Sequence, residues 1–271
     1  MSVSDQGHPS LHEVASTSHT APSSSVSPSG REARSPSLLR RLRRHSLREL
    51  LALVPVNLHH AVRRLSGRQR RARDADRAFD RTLGLDTSAP LSVGALGTGG
   101  AADAHASPYV PVGAPTLRAA LAALPVEDFT PFTFIDLGSG KGRALLIAAE
   151  FGFREIVGVE YSLVLHEIAV KNMAIAGGTR GQALPILLHH GDAGAYAIPS
   201  GDKVIFLFNP FDGEIMARVA ANIEAAAGDA RTFVIYVNPR NRTPFETAAW
   251  ETIADDGYAA IYRAREASRM T

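Results

Sequence analysis

Short apolar runs punctuate the second half of the chain at intervals wide enough for a helix between each pair. Residues 133–137, 155–159, 184–189, 203–208 and 231–237 have the length and the Ile, Val and Phe content of buried strands. The stretches between them, notably 162–175 and 213–227, are predicted to be helices. Alternation of this kind predicts a parallel sheet covered on both faces. Two final strands, Trp250 to Ala254 and Ala259 to Arg263, are joined through Asp255-Asp256-Gly257. Their hairpin adds an antiparallel strand to the sheet. The predicted fold class is α/β, a doubly wound, Rossmann-like sheet of seven strands.

The first half reads differently. Residues 1–36 are rich in Ser, Pro, Thr and His without apolar periodicity, a composition too poor in apolar surface to offset the entropy of ordering. Residues 37–83 form an Arg-rich helical arm: fifteen arginines lie between Arg31 and Arg81. Leu38, Leu39, Leu42, Leu50 and Leu51 alternate with arginines as in a basic amphipathic helix, which Pro55 ends or interrupts. A second helical stretch is expected from about Asn57 to Leu83. One reading of the arm is a polyanion contact. The other is a solvated basic face on a helix packed against the domain, which the lack of Phe, Tyr or Trp between Arg31 and Arg73 favours. Residues 84–115, rich in Gly, Ala, Ser and Pro, read as a linker or lid, and a helix is expected around Thr116 to Leu124. Residues 116–271 then form the main domain.

The candidate chemistry lies where the first strand ends. Phe134-Ile135-Asp136-Leu137 runs into Gly138-Ser139-Gly140-Lys141-Gly142-Arg143, and an Ala-rich helical stretch follows. The next strand ends in a second acid, Glu160. A strand, glycine turn, helix and acid-tipped strand make a nucleotide-like pocket at the carboxyl edge of a parallel sheet. Dinucleotide sites space their glycines G-x-G-x-x-G, whereas here the spacing is G-x-G-x-G. An acid at position 160 would repel a 2′-phosphate. Further on, Gly191-Asp192-Ala193 follows the third strand, and Asn209-Pro210-Phe211-Asp212 follows the fourth.

These motifs resemble those of the class I S-adenosylmethionine-dependent methyltransferases. Asp136 to Arg143, Gly158 to Glu160 and Phe208 to Phe211 are similar to the non-SET lysine methyltransferases of the disruptor-of-telomeric-silencing type. Tyr109-Val110-Pro111 resembles the lysine methyltransferases of the mitochondrial ATP-synthase c-subunit type, in which that tyrosine borders the cofactor. The resemblance implies S-adenosyl-L-methionine as cofactor, with Asp136, Gly138, Ser139, Gly140 and Gly142 around its methionine portion. It implies Glu160 at the ribose hydroxyls, and Asp192 and Ala193 at the adenine edge. Tyr161 would lie on the adenine face, or else is a half-buried tyrosine at a strand end. Asn209, Pro210 and Phe211 would hold and pack against an acceptor amine. The single proline departs from the two-proline motif of amine methyltransferases acting on DNA bases. Asn238-Pro239, after the next strand, either borders the same pocket or starts a turn.

Composition narrows the chemistry. The chain has no cysteine, which excludes disulfides, Cys-based metal sites and methyl transfer through a cysteine nucleophile. The fourth strand ends without the acid that a magnesium-dependent O-methyltransferase needs, so no metal is expected. No apolar run is long enough to span a bilayer and no signal-peptide core follows Met1, so the expected location is cytoplasmic. His189, His190 and Asp212 are the candidate general bases. The expected activity is N-methylation of a lysine-like amine on a protein partner. The alternatives are methylation of an RNA or DNA amine, docked through the Arg-rich arm, and a cofactor-binding scaffold without catalysis.

Overall fold

In the computed structural model, residues 67–98, 108–181, 183–208 and 211–265 are described. The Ser- and Pro-rich segment 1–36, the basic helix expected over Leu38 to Leu51 and the start of the second arm helix lie outside them.

Seven strands form one sheet: β1 Thr133–Leu137, β2 Glu155–Glu160, β3 Ile186–His190, β4 Lys203–Phe208, β5 Thr232–Val237, β6 Trp250–Asp255 and β7 Ala259–Ala264. Their order is β3-β2-β1-β4-β5-β7-β6. The first five are parallel, and β7 inserts antiparallel between β5 and β6. This is the doubly wound, Rossmann-like sheet of seven strands, closed by an antiparallel hairpin, that the strand pattern predicts. The chain builds outward from β1 through β2 to β3, then crosses back to place β4 on the other side of β1. The carboxyl ends of β1 and β4 therefore flank a topological switch point, where open α/β sheets carry their ligands.

Burial explains the apolar runs. All five residues of β1 and all six of β5 are buried, as both faces of the sheet are covered. Side chains alternate between two cores. Phe134, Phe206 and Ile235 pack with Leu117 and Leu121 of helix α2 (Ala114–Ala122) and Leu145 and Ile147 of α3 (Arg143–Ala148). Ile135, Ile205 and Val234 pack on the other face with Met216, Val219 and Ile223 of α5 (Gly213–Ala227). Asp136 shares the parity of Phe134. The same alternation that buries the core thus directs this acid to the α3 side of the sheet.

Boundaries moved where local chemistry overrode periodicity. The third strand begins at Ile186 rather than residue 184, because Pro185 has no N–H for the ladder; its carbonyl instead accepts from Ile156 N at 2.7 Å. Helix α4 (Leu163–Arg180) is capped by Ser162, whose hydroxyl accepts from Leu165 N, and continues past the expected residue 175 to end at Gly181 in the left-handed conformation. Asp212 caps α5 by accepting from Ile215 N at 3.0 Å. Helix α2 starts at Ala114, two residues early, since Pro115 is favourable in a first helical turn.

The described part of the second arm helix, α1 (Gly67–Leu83), is packed on the domain through Asp76, Phe79 and Asp80. The described residues of 84–115 pack on the domain as well. Thr87, Leu96 and Val112 are buried, and Leu91 pairs with Tyr109 in an antiparallel bridge. Among the described residues no helix is long and apolar enough to cross a membrane.

Candidate functional site

The turn after β1 is held from below by β2. Gly138 N and Ser139 N both donate to the carbonyl of Val159, at 2.8 and 3.0 Å. Glu160 completes the grip: one carboxylate oxygen accepts from Gly140 N at 2.8 Å and the other from Ser162 N at 2.7 Å. The glycine loop and the acid eighteen positions beyond its last glycine are thus one hydrogen-bonded unit. Burial raises the Glu160 pKa, while the N–H groups of Ser162, Gly140 and Tyr161 pull it back. A carboxylate can accept further hydrogen bonds beyond these.

The loop is covered from above by Tyr109. Gly140 has φ +55°, and a Cβ there would lie 2.3 Å from Tyr109 Cε2 and 2.7 Å from its Cδ2. The ring rests directly on the loop backbone, which only a glycine permits. Gly142 serves packing instead. A Cβ on it would meet Met173 Cε of α4 at 2.7 Å, and the residue does not line the cavity described below.

Asp136 is 3% exposed, and no hydrogen bond reaches its carboxyl among the described residues. Burial, and after it the charge of Glu160, pushes its pKa well above the usual carboxylate range. A carboxyl raised in the folded state holds its proton more tightly there than in the unfolded chain. Its contribution to stability is complete below the ordinary carboxylate pKa and is lost as pH rises through the raised one. Asp136→Asn should therefore make the ligand-free protein more stable than the native chain at about pH 8, with the gap closing towards about pH 5. Thermal unfolding across that range checks it, and parallel curves for the two proteins at all pH values would refute it.

A cavity of about 320 Å³ opens at the switch point, within the size range of small-molecule sites. It collects nearly all the described residues expected at a site. Tyr109, Asp136, Gly138, Ser139, Gly140, Glu160, Tyr161, Asp192, Ala193 and Phe211 all line it. Tyr161 is half exposed. Asp192 accepts from Gly194 N at 2.8 Å and lies 3.5 Å from the Arg218 guanidinium of α5. Asn209 and Pro210 lie outside the described residues. Asn238 does not line the cavity: it turns the chain after β5 at φ 50°, a conformation asparagine tolerates. Asn241 contacts the segment after β4 instead, donating to the carbonyl of Phe211 at 3.2 Å. None of the three candidate bases lines the cavity. His189 lies beside Tyr196, His190 contacts the carbonyl of Tyr161, and Asp212 caps α5.

The sequence reading missed Phe206, Phe208, Ile215, Arg218 and Arg143 in the cavity wall. Phe206, Phe208 and Ile215 continue the apolar patterns of β4 and α5, which gave no sign that some members face a ligand. Arg143, 2% exposed, is the largest fully buried side chain among the described residues. Its guanidinium donates to Asp76 at 2.9 Å and to Thr87 Oγ1 at 3.1 Å, and stands over the Phe79 ring. Lys141, equally buried, pairs with Asp86 at 2.8 Å. Both cations of the glycine loop are therefore committed to protein acids.

No family model and no curated protein matches the chain. Solved structures do. An RNA methyltransferase from Salinibacter ruber, in complex with S-adenosyl-L-homocysteine, matches over 60% of this chain and 97% of its own, at 19% identity and a TM-score of 0.43. A predicted N6-adenine-specific DNA methylase from Listeria monocytogenes matches over 58% of this chain, at 12% identity and a TM-score of 0.46, and the match spans 52% of its length. A ribosomal protein L11 methylase from Lactobacillus delbrueckii matches over 56% of this chain and 77% of its own, at 14% identity and a TM-score of 0.42. What is shared at these identities is the fold.

Proposed function

We propose that the chain is an S-adenosylmethionine-dependent methyltransferase acting on an amine nitrogen, with a lysine-like side chain of a protein as acceptor. The observation that carries the reading is the charge arrangement of the glycine loop. Lys141 and Arg143, the cations nearest the loop, are paired with Asp86 and Asp76, so although Arg143 lines the cavity its charge is met by protein acids, and the carboxyls of Asp136 and Glu160 line the same side. Such a site suits a cationic, phosphate-free nucleoside and disfavours NADP or a nucleotide triphosphate.

The residues fit that cofactor. The backbone of Gly138 to Gly140 is open to its methionine portion, and a cation bound there would favour the ionised form of the Asp136 carboxyl, which no hydrogen bond reaches among the described residues. Glu160, fixed by two backbone N–H groups, stands ready for the ribose hydroxyls, and Asp192 with Ala193 for the adenine edge. When bound, the cofactor supplies an electrophilic methyl group on sulfur. The protein's part is to hold the acceptor nitrogen in line at about 3 Å with its lone pair aligned. Phe206, Phe208 and Phe211 give the acceptor end an aromatic wall that can flank an alkylamine. Desolvation there favours the neutral amine, so the acceptor needs little help from a general base.

Incubation with methyl-labelled cofactor and cell extract tests the reading. Nuclease-resistant, protease-sensitive label is expected, and Asn209→Ala should lower its rate while leaving cofactor affinity nearly unchanged. Label removed by nuclease would replace the protein acceptor with a nucleic acid. Cofactor binding without any transfer would reduce the chain to a scaffold.

A further inference from the structure

Tyr109 is held over Gly140 by contacts remote from it in sequence. Its hydroxyl donates to the carbonyl of Thr87 at 2.8 Å. Thr87 is fully buried and is itself fixed at three points. Its N–H donates to Asp80 at 2.9 Å, its hydroxyl donates to Asp80 at 2.5 Å, and its hydroxyl oxygen accepts from Arg143 at 3.1 Å. Arg143 is the residue directly after the glycine loop. A ring of contacts therefore runs from the loop, through Arg143 and Thr87 to Tyr109, and back onto the loop at Gly140. Asp80 of α1 fastens it from outside. A second tie lies alongside. Asp86 pairs with Lys141, and Asn172 of α4 joins the two, accepting from Asp86 N and donating to the Lys141 carbonyl.

We propose that Thr87, set between Asp80 and Arg143, is a positioning residue for the cofactor site: it fixes Tyr109 against Gly140 and so sets the wall beside which the cofactor's methionine portion lies. Helix α1 and the segment after it are on this account part of the cofactor site. The inference rests on the methyltransferase reading. Its physical basis is that Thr87 touches no ligand-lining space itself, yet both ends of its contact chain, Tyr109 and Arg143, form cavity wall. A contact serving stability alone would have no need to join the roof of a site to its floor. Loss of the hydroxyl should leave the fold standing and let the roof shift, because Asp80 retains its bonds to the backbone N–H groups of Thr87 and Ser88.

Calorimetric titration with S-adenosyl-L-homocysteine, well below the unfolding temperature of each protein, tests the assignment. Thr87→Val keeps the shape and removes the hydroxyl; affinity should fall about tenfold, the scale of a lost hydrogen bond to a charged partner. Thr87→Ser restores the hydroxyl and should bring affinity back to within about twofold of the native chain. A folded Thr87→Val protein that binds like the native chain overturns the proposal, and so does a Thr87→Ser protein that binds as poorly as Thr87→Val. If Thr87→Val does not fold, Tyr109→Phe decides, since it keeps the ring and removes only the tie to Thr87: weakened binding supports the proposal and unchanged binding ends it. A native chain that takes up no S-adenosyl-L-homocysteine at all removes the methyltransferase reading, and the proposal goes with it.

Discussion

Gly140→Val is expected to abolish binding of S-adenosyl-L-homocysteine, lowering affinity at least about a hundredfold, while the sheet remains folded. Two effects add. Gly140 adopts φ +55°, where a β-branched residue costs on the order of 1–3 kcal/mol. Its Cβ would also stand 2.3 Å from the Tyr109 ring. The ring is not free to step aside, because its hydroxyl is tied to Thr87 and its backbone is bridged to Leu91. Relief must come from moving the loop, the ring or both, and each lines the cavity. The obvious mechanism from sequence is a side chain filling ligand space. The structure locates the collision in the protein's own roof, so binding is lost through displaced walls. Calorimetry paired with circular dichroism checks this; a folded variant with native affinity would show that neither wall matters.

The second large effect is on stability. Asp80→Ala should destabilise the protein by about 3 kcal/mol, the scale of removing one partner from a buried charged network. The Asp80 side chain accepts from Thr87 N, Thr87 Oγ1 and Ser88 N, and lies 3.8 Å from the Arg143 guanidinium. Three donors lose their acceptor at once, and among the described residues Arg143 keeps Asp76 alone as an ionic partner. Because the pair is buried, the loss should be nearly the same at low and high salt, unlike that of a surface ion pair. Denaturant unfolding at two ionic strengths measures both points. A shift below about 0.5 kcal/mol, the range of ordinary surface substitutions, would mean that the network contributes nothing net.

The two predictions draw on different kinds of information. That Gly140 matters is visible in the spacing of Gly138, Gly140 and Gly142, and in Glu160 at the next strand end. That Asp80 matters is visible only in the fold. In sequence Asp80 is one acid on a helix crowded with arginines, and its physical twin is any solvated residue of such a face. Arg143 misleads in the same way. A cation beside a glycine loop suggests a phosphate, and only its burial against Asp76 and Thr87 shows that its charge is spent within the protein. Residues 84–115 read as a linker from their Gly, Ala, Ser and Pro content. Their backbone bridge from Leu91 to Tyr109 and the burial of Leu96 and Val112 have no compositional signature.

The amino-acid sequence alone determined the strands and their parallel pairing, the antiparallel closing hairpin, and the acid-and-glycine floor of the cavity. These are local properties: strand period, turn chemistry and cap residues act over a few neighbours and leave a readable pattern. Tertiary structure alone decided the roof. Its ties from Tyr109 to Thr87 and from Arg143 to Asp76 join residues 22 and 67 positions apart, and partners that meet only when the chain closes on itself leave no periodic trace. Which polar side chains are buried there, and which charges remain for a ligand, follows from that closure.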